Sequence, residues 1–449
     1  MGWDDEMKLK EISVAKLFGI FDHEIKLKNE RGITIIIGEN GLGKTIILEM
    51  VESFFNGNIF RFKNIDFKEL MFKFDDDTSW TIYKQYENEK EISLVVSQSN
   101  LDELFIMRLD DLTPERHKRD AMQIARAKNG YLRRAGPTHW EHRHSGELYN
   151  HREVIEKYGA DYSTYISQDL IKESHPPEWF LERYENLNVT LIETQRVLDF
   201  DYSDRAPIET VKKNSKELTD LIKQKLTEST ELSSKLDRTY PNRLLDKLKN
   251  GRHNISEDDL NNKLKALEDK RNLLDEVGLV ETEKNSDLFS IENTEEVVKD
   301  VLMLYVEDSF EKLSIFDEVA GKIRLLLNII NERFKHKTLY ANKDDGFLFK
   351  SSVISDENNK YKLIPLEQLS SGEKNELILF YKLIFNSYPN SLILIDEPEI
   401  SLHISWQNKF ISDLKEIHKL NKLDILIATH SPDIISNNWD LRVELKGVE

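Results

Sequence analysis

Cysteine is absent from this sequence of 449 residues, which excludes disulfide bridges, thiolate zinc sites and cysteine nucleophiles. Long apolar runs are also missing. Even Leu377–Phe385 is interrupted by Lys382 and falls short of the ~18 residues that a membrane helix needs. The segment Met1–Lys10 carries acidic side chains and no hydrophobic stretch, so we expect neither a secretion signal nor a lipid anchor. These absences exclude a membrane-spanning transporter and predict a cytoplasmic protein with no membrane partner.

Basic residues are outnumbered by acidic ones. The chain has 63 Lys and Arg against 82 Asp and Glu, a net charge of −19, with 39% hydrophobic and 32% charged residues. This composition is typical of a globular protein. A net negative charge repels nucleic acid at long range, so any contact with DNA or RNA requires a local basic patch. One such patch lies within residues 116–134, where Asp120 is the single acidic residue among these basic ones: Arg116, Lys118, Arg119, Arg126, Lys128, Arg133 and Arg134.

The basic segment 116–134 is predicted to be an interaction surface and not a catalytic site, because its clustered charges repel one another unless an acidic ligand compensates them. Three ligands stay open: nucleic acid, an acidic trigger protein, and the acidic surface of a partner subunit. A solvated helix face is the alternative without a ligand. Nearby histidines allow a zinc site, with a polar loop as the alternative. They are His139, His142, His144 and His151.

A glycine-rich motif is the first stretch of the sequence that predicts a chemical function. Residues Gly38–Thr45 read Gly-x-x-x-x-Gly-Lys-Thr, between a predicted strand at Ile33–Ile37 and a predicted helix at Lys44–Phe55. This is the context of a phosphate-binding loop. We expect Lys44 to reach the β- and γ-phosphates and Thr45 to ligate Mg²⁺. The sequence therefore predicts ATP and Mg²⁺ as ligands, with further loop contacts from Gly38, Asn40, Gly41 and Gly43.

A second apolar strand is predicted at Leu392–Ile395, and it ends in two acidic residues, Asp396 and Glu397. Because the sequence also contains a phosphate-binding loop, we expect Asp396 to bind Mg²⁺ and Glu397 to be the catalytic base that polarises the attacking water. A solvated acidic turn is the alternative, which the paired motif disfavours.

The stretch Leu369–Lys374, Leu-Ser-Ser-Gly-Glu-Lys, resembles the signature motif of ABC-type ATPases and lies upstream of Asp396 at the usual place. In that family the signature loop of one copy completes the nucleotide site of another copy. The resemblance therefore implies a homo-oligomer built from head-to-tail dimers that enclose ATP. The signature residues expected at the nucleotide are Ser370, Ser371, Gly372 and Glu373.

Two further stretches carry the same resemblance. The stretch Ile425–Pro432 resembles the strand and switch histidine of the family, which implies a catalytic role for His430. Gln195 follows a predicted strand at Asn188–Glu193 and resembles the glutamine that senses the γ-phosphate and Mg²⁺. A plain strand-end glutamine is the alternative for Gln195. Together the motifs imply an α/β fold, an ABC-type P-loop ATPase core with an antiparallel β-meander and helical insertions.

The residues after the catalytic Glu397 narrow the resemblance to one clade. The form Glu-Pro-Glu-x-Ser-Leu-His at 397–403 replaces the Ser-Ala-Leu-Asp of transporters and resembles RecF-like, overcoming-lysogenisation-type and phage-defence ATPases. Ile192–Arg196, Ser431–Ile435 and Trp439–Leu441 resemble the ATPase subunits of the Septu and PARIS anti-phage systems. This resemblance implies a sensor or scaffold that controls a separate nuclease effector of the HNH or TOPRIM type. We expect no nuclease domain in this chain. The alternative is a RecF-like repair ATPase that binds DNA directly.

Composition, periodicity and the motifs that carry the resemblance divide the chain into five predicted parts. Two helical arms are expected in the fourth part, with Pro241 as one of their interruptions. The parts are an ATPase lobe with the β-meander at 1–98, a basic helical insertion at 99–186, the glutamine-loop strand at 187–204, helical arms at 205–334, and the ATPase C-terminal half at 335–449.

Overall fold

The computed structural model describes most of the chain, and the structural statements below concern that part. Predicted residues outside it include Gln195, His144 and the basic residues 116–119 and 126. The described residues are 7–87, 91–108, 121–122, 125, 132–143, 146–151, 154, 171, 174–192, 198–201, 206–249, 256–281, 291, 294–355 and 361–447.

Strands predominate in the first part of the described residues, and four consecutive helices occupy the middle. The strands are β1 (Leu9–Leu17), β2 (Phe21–Lys26), β3 (Ile33–Ile37), β4 (Glu69–Phe74), β5 (Ser79–Glu87), β6 (Glu91–Gln98), β7 (Leu104–Arg108), β8 (Leu132–Arg134), β9 (His139–His142), β10 (Leu148–Asn150), β11 (Val189–Ile192), β12 (Leu198–Asp201), β13 (Ala206–Glu209), β14 (Lys337–Asn342), β15 (Gly346–Ser355), β16 (Tyr361–Ile364), β17 (Leu392–Asp396), β18 (Asp424–Ala428) and β19 (Arg442–Glu444). The helices are α1 (Lys44–Phe55), α2 (Glu178–Asn186), α3 (Thr210–Lys249), α4 (Glu257–Glu276), α5 (Glu296–Ser314), α6 (Asp317–Arg333), α7 (Ser371–Phe385), α8 (Ile404–Asn421) and α9 (Pro432–Ile435).

The chain divides into two compact units. The first combines Met1–Glu209 with Lys382–Glu449, and the second is Thr210–Tyr381. This division does not test the five parts proposed from the sequence, whose boundaries stay predictions.

A parallel sheet forms the centre of the first unit, in the order β11-β17-β18-β3-β19. Its middle strands are uninterrupted apolar runs that are buried, as strands covered on both faces require. Carboxyl ends of parallel strands meet at one edge of the sheet. The loop after β3, the acidic end of β17 and the loop after β18 therefore meet at that edge.

An antiparallel sheet of order β2-β1-β4-β5-β6-β7 lies in the same unit. It confirms the predicted antiparallel β-meander and adds β7, which lies beyond residue 98. Aromatic side chains pack this sheet against the helices. The ring centroids of Phe54 on α1 and Phe72 are 5.4 Å apart, and the Trp80 ring stacks on the Phe180 ring of α2 with a centroid distance of 5.0 Å. This core fixes α1, and with it the glycine-rich loop that precedes the helix.

The described residues of the region 99–186 include the strands β7 to β10 and the helix α2. Much of this region lies outside the described residues, so the helical insertion stays a prediction. Strands β10-β9-β8 form a small sheet whose inward side chains are Leu132, Trp140 and Tyr149. Strands of three or four residues are too short to display an alternating pattern in the sequence. Across this sheet Arg133 pairs with Glu141 at 2.8 Å, so part of the basic segment is compensated within the chain.

Helices α3, α4 and α5 form the arms of the second unit. The expectation that Pro241 interrupts an arm is wrong, since α3 continues through it. Proline removes one helical hydrogen bond. Arg243 strengthens this part of α3 by donating to the Leu236 carbonyl at 2.9 Å and to the Asp308 carboxylate of α5 at 2.7 Å. Helix α6 follows α5 after a short break. None of the described helices is long and apolar enough to cross a membrane.

The second unit also contains an antiparallel sheet of order β14-β15-β16. A short turn after β16 leads directly to the predicted signature residues and α7.

Candidate functional site

The glycine-rich loop joins β3 to α1. Gly43 adopts a left-handed φ of 88°, and a Cβ at this position would lie 2.5 Å from Leu17 Cδ2, so only glycine fits. Asn40 and Gly41 are exposed on the loop, and Lys44 begins the helix. The first turn of a helix directs N–H donors and the positive end of its dipole outward. The loop and helix start can therefore receive an anion such as phosphate.

The Lys44 side chain lies within the loop and is only 5% exposed. Its Nζ donates to the carbonyl oxygens of Gly38 at 2.8 Å and Glu39 at 2.9 Å. His430 Nδ1 lies 3.5 Å from the same nitrogen. The structure thus brings the predicted phosphate-binding lysine and the predicted switch histidine together.

Burial lowers the pKa of Lys44, while the nearby carboxylates of Glu397, Asp396 and Glu399 act in the opposite direction. The acidic side chains at the end of β17 and the lysine of the loop therefore share one electrostatic environment. A polyanion bound there would meet a cation that the protein already holds in place.

Asp396 is the last residue of β17, and the Thr45 hydroxyl donates a hydrogen bond to its carboxylate. Burial raises the pKa of Asp396, and Glu397 adds to this effect by charge repulsion. A hydroxyl next to a carboxylate is a set of hard oxygen ligands, which fits Mg²⁺. The predicted metal residues Thr45 and Asp396 are therefore adjacent and chemically suited to that ion.

The variant Asp396→Asn is expected to be more stable than the wild type in the absence of nucleotide at neutral pH. Since the folded state raises the pKa of this carboxyl, its stability contribution is present at low pH and is lost as the pH rises through the folded-state pKa. Asn keeps an acceptor for Thr45 and carries no charge. Melting temperatures should agree at acidic pH and favour the variant as the pH rises. A lower melting temperature for the variant at neutral pH would contradict this account.

Glu397 follows β17 in a left-handed conformation with φ 44°, which is uncommon for a residue with a side chain. Its N–H donates to the Ala428 carbonyl at 2.9 Å, next to the end of β18. Its Oε1 lies 3.9 Å from His430 Nε2. The predicted base and the predicted switch histidine therefore lie at the same edge of the sheet.

Sequence reasoning missed two residues of this site. Glu399 accepts hydrogen bonds from the loop after β18, and its signal was present in the Glu-Pro-Glu motif. His23 on β2 is buried and hydrogen bonds to the Leu42 carbonyl of the glycine-rich loop at 2.8 Å. Burial lowers the pKa of His23 and favours the neutral ring that donates this bond. No local pattern could reveal His23, because the contact joins separate elements.

The predicted signature residues lie in the second unit at the start of α7. Ser370 N–H donates to Glu373 Oε2 at 2.8 Å, and Glu373 N–H donates back to Ser370 Oγ at 3.3 Å. This is a capping box, which Lys337 reinforces by binding the Glu373 carboxylate at 2.7 Å. Ser370 and Glu373 thus order the helix start, whereas Ser371 and Gly372 are exposed. Contact of these residues with nucleotide stays a prediction.

Two other predicted features, the glutamine Gln195 and the group of histidines, are described only in part. Gln195 lies outside the described residues, although the strand that leads toward it is present as β11 and pairs with β17. Within the part of the chain that the structure describes, no group of three or more His, Asp or Glu side chains is arranged to hold a metal ion. The zinc alternative for the histidines stays untested, because His144 lies outside that part.

Comparison with known proteins gives one match that covers most of the chain. Residues 7–435 match the family model described as AAA ATPase domain. No curated protein matches the sequence.

Several solved structures show weak similarity. An Smc head domain with an extended coiled coil, bound to the C-terminal domain of ScpA, from Pyrococcus furiosus, is 12% identical, with 96% of this chain and 91% of that chain covered and a TM-score of 0.29. The SMC head domain from Thermotoga maritima is 10% identical, with coverage of 98% and 99% and a TM-score of 0.32. The Smc head domain with a coiled coil and joint from Pyrococcus yayanosii is 15% identical, with coverage of 96% and 93% and a TM-score of 0.29.

The predicted α/β fold is confirmed: a parallel sheet carries the glycine-rich loop of a P-loop ATPase core after β3. Because the family model matches residues 7–435, nearly the whole sequence, this chain belongs to the AAA ATPase domain family.

Proposed function

We propose that this protein hydrolyses ATP with Mg²⁺ and that its ATP-bound state controls a separate effector protein. One observation carries the ATPase proposal: Lys44, Thr45, Asp396, Glu397 and His430 converge at the carboxyl edge of one parallel sheet. A cation, a hydroxyl next to a carboxylate, a second carboxylate and an imidazole are the groups that phosphoryl transfer to water requires.

Each side chain has a distinct task in this mechanism. Lys44 and the N–H groups at the start of α1 bind the phosphates, and Lys44 exchanges its contacts with loop carbonyls for phosphate oxygens. Thr45 and Asp396 would hold Mg²⁺, which supplies positive charge toward the phosphate oxygens. Glu397 orients the attacking water and accepts its proton. His430, which lies near both Lys44 and Glu397, donates toward the terminal phosphate.

The proposed active form is a head-to-tail pair. Ser371 and Gly372 are exposed at a capped helix start, which offers a hydroxyl, close backbone approach and a positive dipole to phosphate. We assign them to the nucleotide held by another copy's Lys44 and Thr45. Each site is then composite.

The proposed effector is a separate nuclease of the HNH or TOPRIM type in cytoplasmic anti-phage defence. Support comes from the resemblance of the Glu-Pro-Glu-x-Ser-Leu-His form and the stretches at 192–196 and 431–435 to defence ATPases. The arms and the basic segment 116–134 supply candidate surfaces for the effector or an acidic trigger.

Glu397→Gln provides the test. Loss of the base should reduce kcat by at least ~100-fold, while ATP binding is retained because Lys44, Thr45 and Asp396 are unchanged. Tagged Glu397→Gln protein with ATP and Mg²⁺ should retain the nuclease encoded beside it, measured by co-purification and nuclease assay. The matched control, Glu397→Gln combined with Lys44→Ala, should not retain it. Hydrolysis at the wild-type rate would reject the base assignment. Binding of duplex DNA without any nuclease partner would favour the RecF-like alternative.

A further inference from the structure

We infer that Glu399 is a positioning residue, whose carboxylate holds the loop after β18 so that His430 faces the reaction centre. This inference rests on the proposed ATPase function and goes beyond it, because it assigns the second glutamate of the Glu-Pro-Glu motif a task separate from that of the base. Glu399 lies in the short helical turn Pro398–Ile400, directly after Glu397.

Both oxygens of the Glu399 carboxylate are used. Oε2 accepts from the Thr429 hydroxyl at 2.8 Å, and Oε1 accepts from the His430 N–H at 2.9 Å. Thr429 is fully buried, so its hydroxyl would be costly to leave without an acceptor. Ionised carboxylates make strong hydrogen bonds with such donors. Glu399 therefore fixes both the side chain before His430 and the backbone of His430 itself.

A second set of contacts anchors the other side of the same loop. Thr429 Oγ1 accepts from Ser431 N–H at 3.0 Å, and the Ser431 hydroxyl donates to Gln407 Oε1 at 2.7 Å. Gln407 Nε2 donates to the Leu402 carbonyl at 3.3 Å. The loop 429–431 is thus tied to the segment that follows the base, through hydrogen bonds at three successive residues.

The surroundings of the His430 ring show why the hydrogen bonds that hold the loop 429–431 matter for the site. Nδ1 lies 3.5 Å from Lys44 Nζ, and Nε2 lies 3.9 Å from Glu397 Oε1. A shift of the His430 backbone would change both distances together. Misplacement of a catalytic group by about 1 Å can cost ~100-fold in rate, so loss of the Glu399 contacts should reduce turnover even though Glu399 contacts neither Lys44 nor Glu397 through these bonds.

Replacement of Glu399 by Gln keeps the length of the side chain but removes the charge and turns one acceptor into an NH₂ donor, which leaves either the Thr429 O–H or the His430 N–H without its acceptor. Thr429→Val removes the donor to Glu399 and, with it, the acceptor of the Ser431 N–H, at nearly constant shape, and leaves the Glu399 charge unchanged. Thr429→Ser retains the hydroxyl. This series separates the positioning role from a purely electrostatic effect of the Glu399 charge on Lys44, which Thr429→Val does not alter.

Amide hydrogen exchange tests the structural part without relying on ATPase activity. In nucleotide-free protein, exchange at residues 429–431 should be roughly tenfold faster in Glu399→Gln than in wild type, as loss of a charge-assisted hydrogen bond predicts. Glu416→Gln is the matched control, because Glu416 is exposed on α8 and pairs with Lys419. Unchanged exchange at 429–431 would overturn the inference.

Steady-state kinetics and ATP titration test the functional part. Glu399→Gln should lower kcat by ~10- to 100-fold with little change in ATP affinity, and Thr429→Val should lower kcat more than Thr429→Ser does. Added to His430→Ala, Glu399→Gln should cause no further loss, because it acts through His430. Multiplying losses in the double variant would overturn the inference. A wild-type protein without ATPase activity would instead reject the proposed function, and hydrogen exchange would still decide whether Glu399 holds the loop.

Discussion

Lys44→Ala is expected to weaken ATP binding by at least roughly 100-fold, the loss typical of removing a charged hydrogen-bond donor, and to abolish hydrolysis. The ammonium group of Lys44 is buried inside the loop, 2.8 Å from the Gly38 carbonyl oxygen. Without it, the phosphates would meet the carboxylates of Asp396 and Glu397 with no lysine to balance them. Equilibrium titration with a fluorescent ATP analogue measures the loss.

A matched control tests whether the loss of ATP binding is specific to Lys44. Lys419→Ala removes a lysine that is exposed on α8, and it should bind ATP like the wild type. Circular dichroism should show that Lys44→Ala remains folded, since the Lys44 ammonium group binds two carbonyl oxygens of the loop and lies outside the hydrophobic core cluster. Wild-type affinity in folded Lys44→Ala would mean that the glycine-rich loop is not the phosphate site.

Mixing Lys44→Ala with Ser371→Arg is expected to restore hydrolysis that neither variant shows alone. Lys44→Ala lacks the phosphate-binding lysine but has an intact signature, whereas Ser371→Arg has an intact loop and a signature blocked by a bulky cation. A pair with one copy of each has one complete site. If copies pair at random and the sites act independently, activity should reach about a quarter of the wild-type rate.

The control for the mixing experiment contains no intact phosphate loop in either partner. Lys44→Ala mixed with the double variant Lys44→Ala/Ser371→Arg should show no recovery. Subunit exchange is measured separately, with two fluorescent labels. If copies exchange and activity stays at the level of the separate variants, either the site is not shared between copies or both sites must act together.

Local sequence patterns predicted the elements around the candidate site. The strand Ile33–Ile37 and the helix Lys44–Phe55 have the predicted bounds, because an apolar run and a helical repeat depend on neighbouring residues only. Other elements could not be read in this way. The small sheet β10-β9-β8 has strands too short to show a period. Helix α3 continues through Pro241, where Arg243 binds the Leu236 carbonyl and the Asp308 carboxylate, and the contact with Asp308 joins separate helices.

By itself, the sequence determined the α/β class and the identity of the chemical groups, since a phosphate loop, an acidic strand end and a histidine after a strand are each contiguous in the chain. Tertiary structure alone decided which groups touch. Glu399 accepts a hydrogen bond from the backbone of His430, 31 positions away in the sequence. His23 on β2 hydrogen bonds to the Leu42 carbonyl in the glycine-rich loop. The Glu399 contact depends on the order of strands in the parallel sheet, which places the carboxyl ends of β17 and β18 side by side, and the His23 contact joins the antiparallel sheet to the glycine-rich loop. No periodicity along one segment encodes either arrangement.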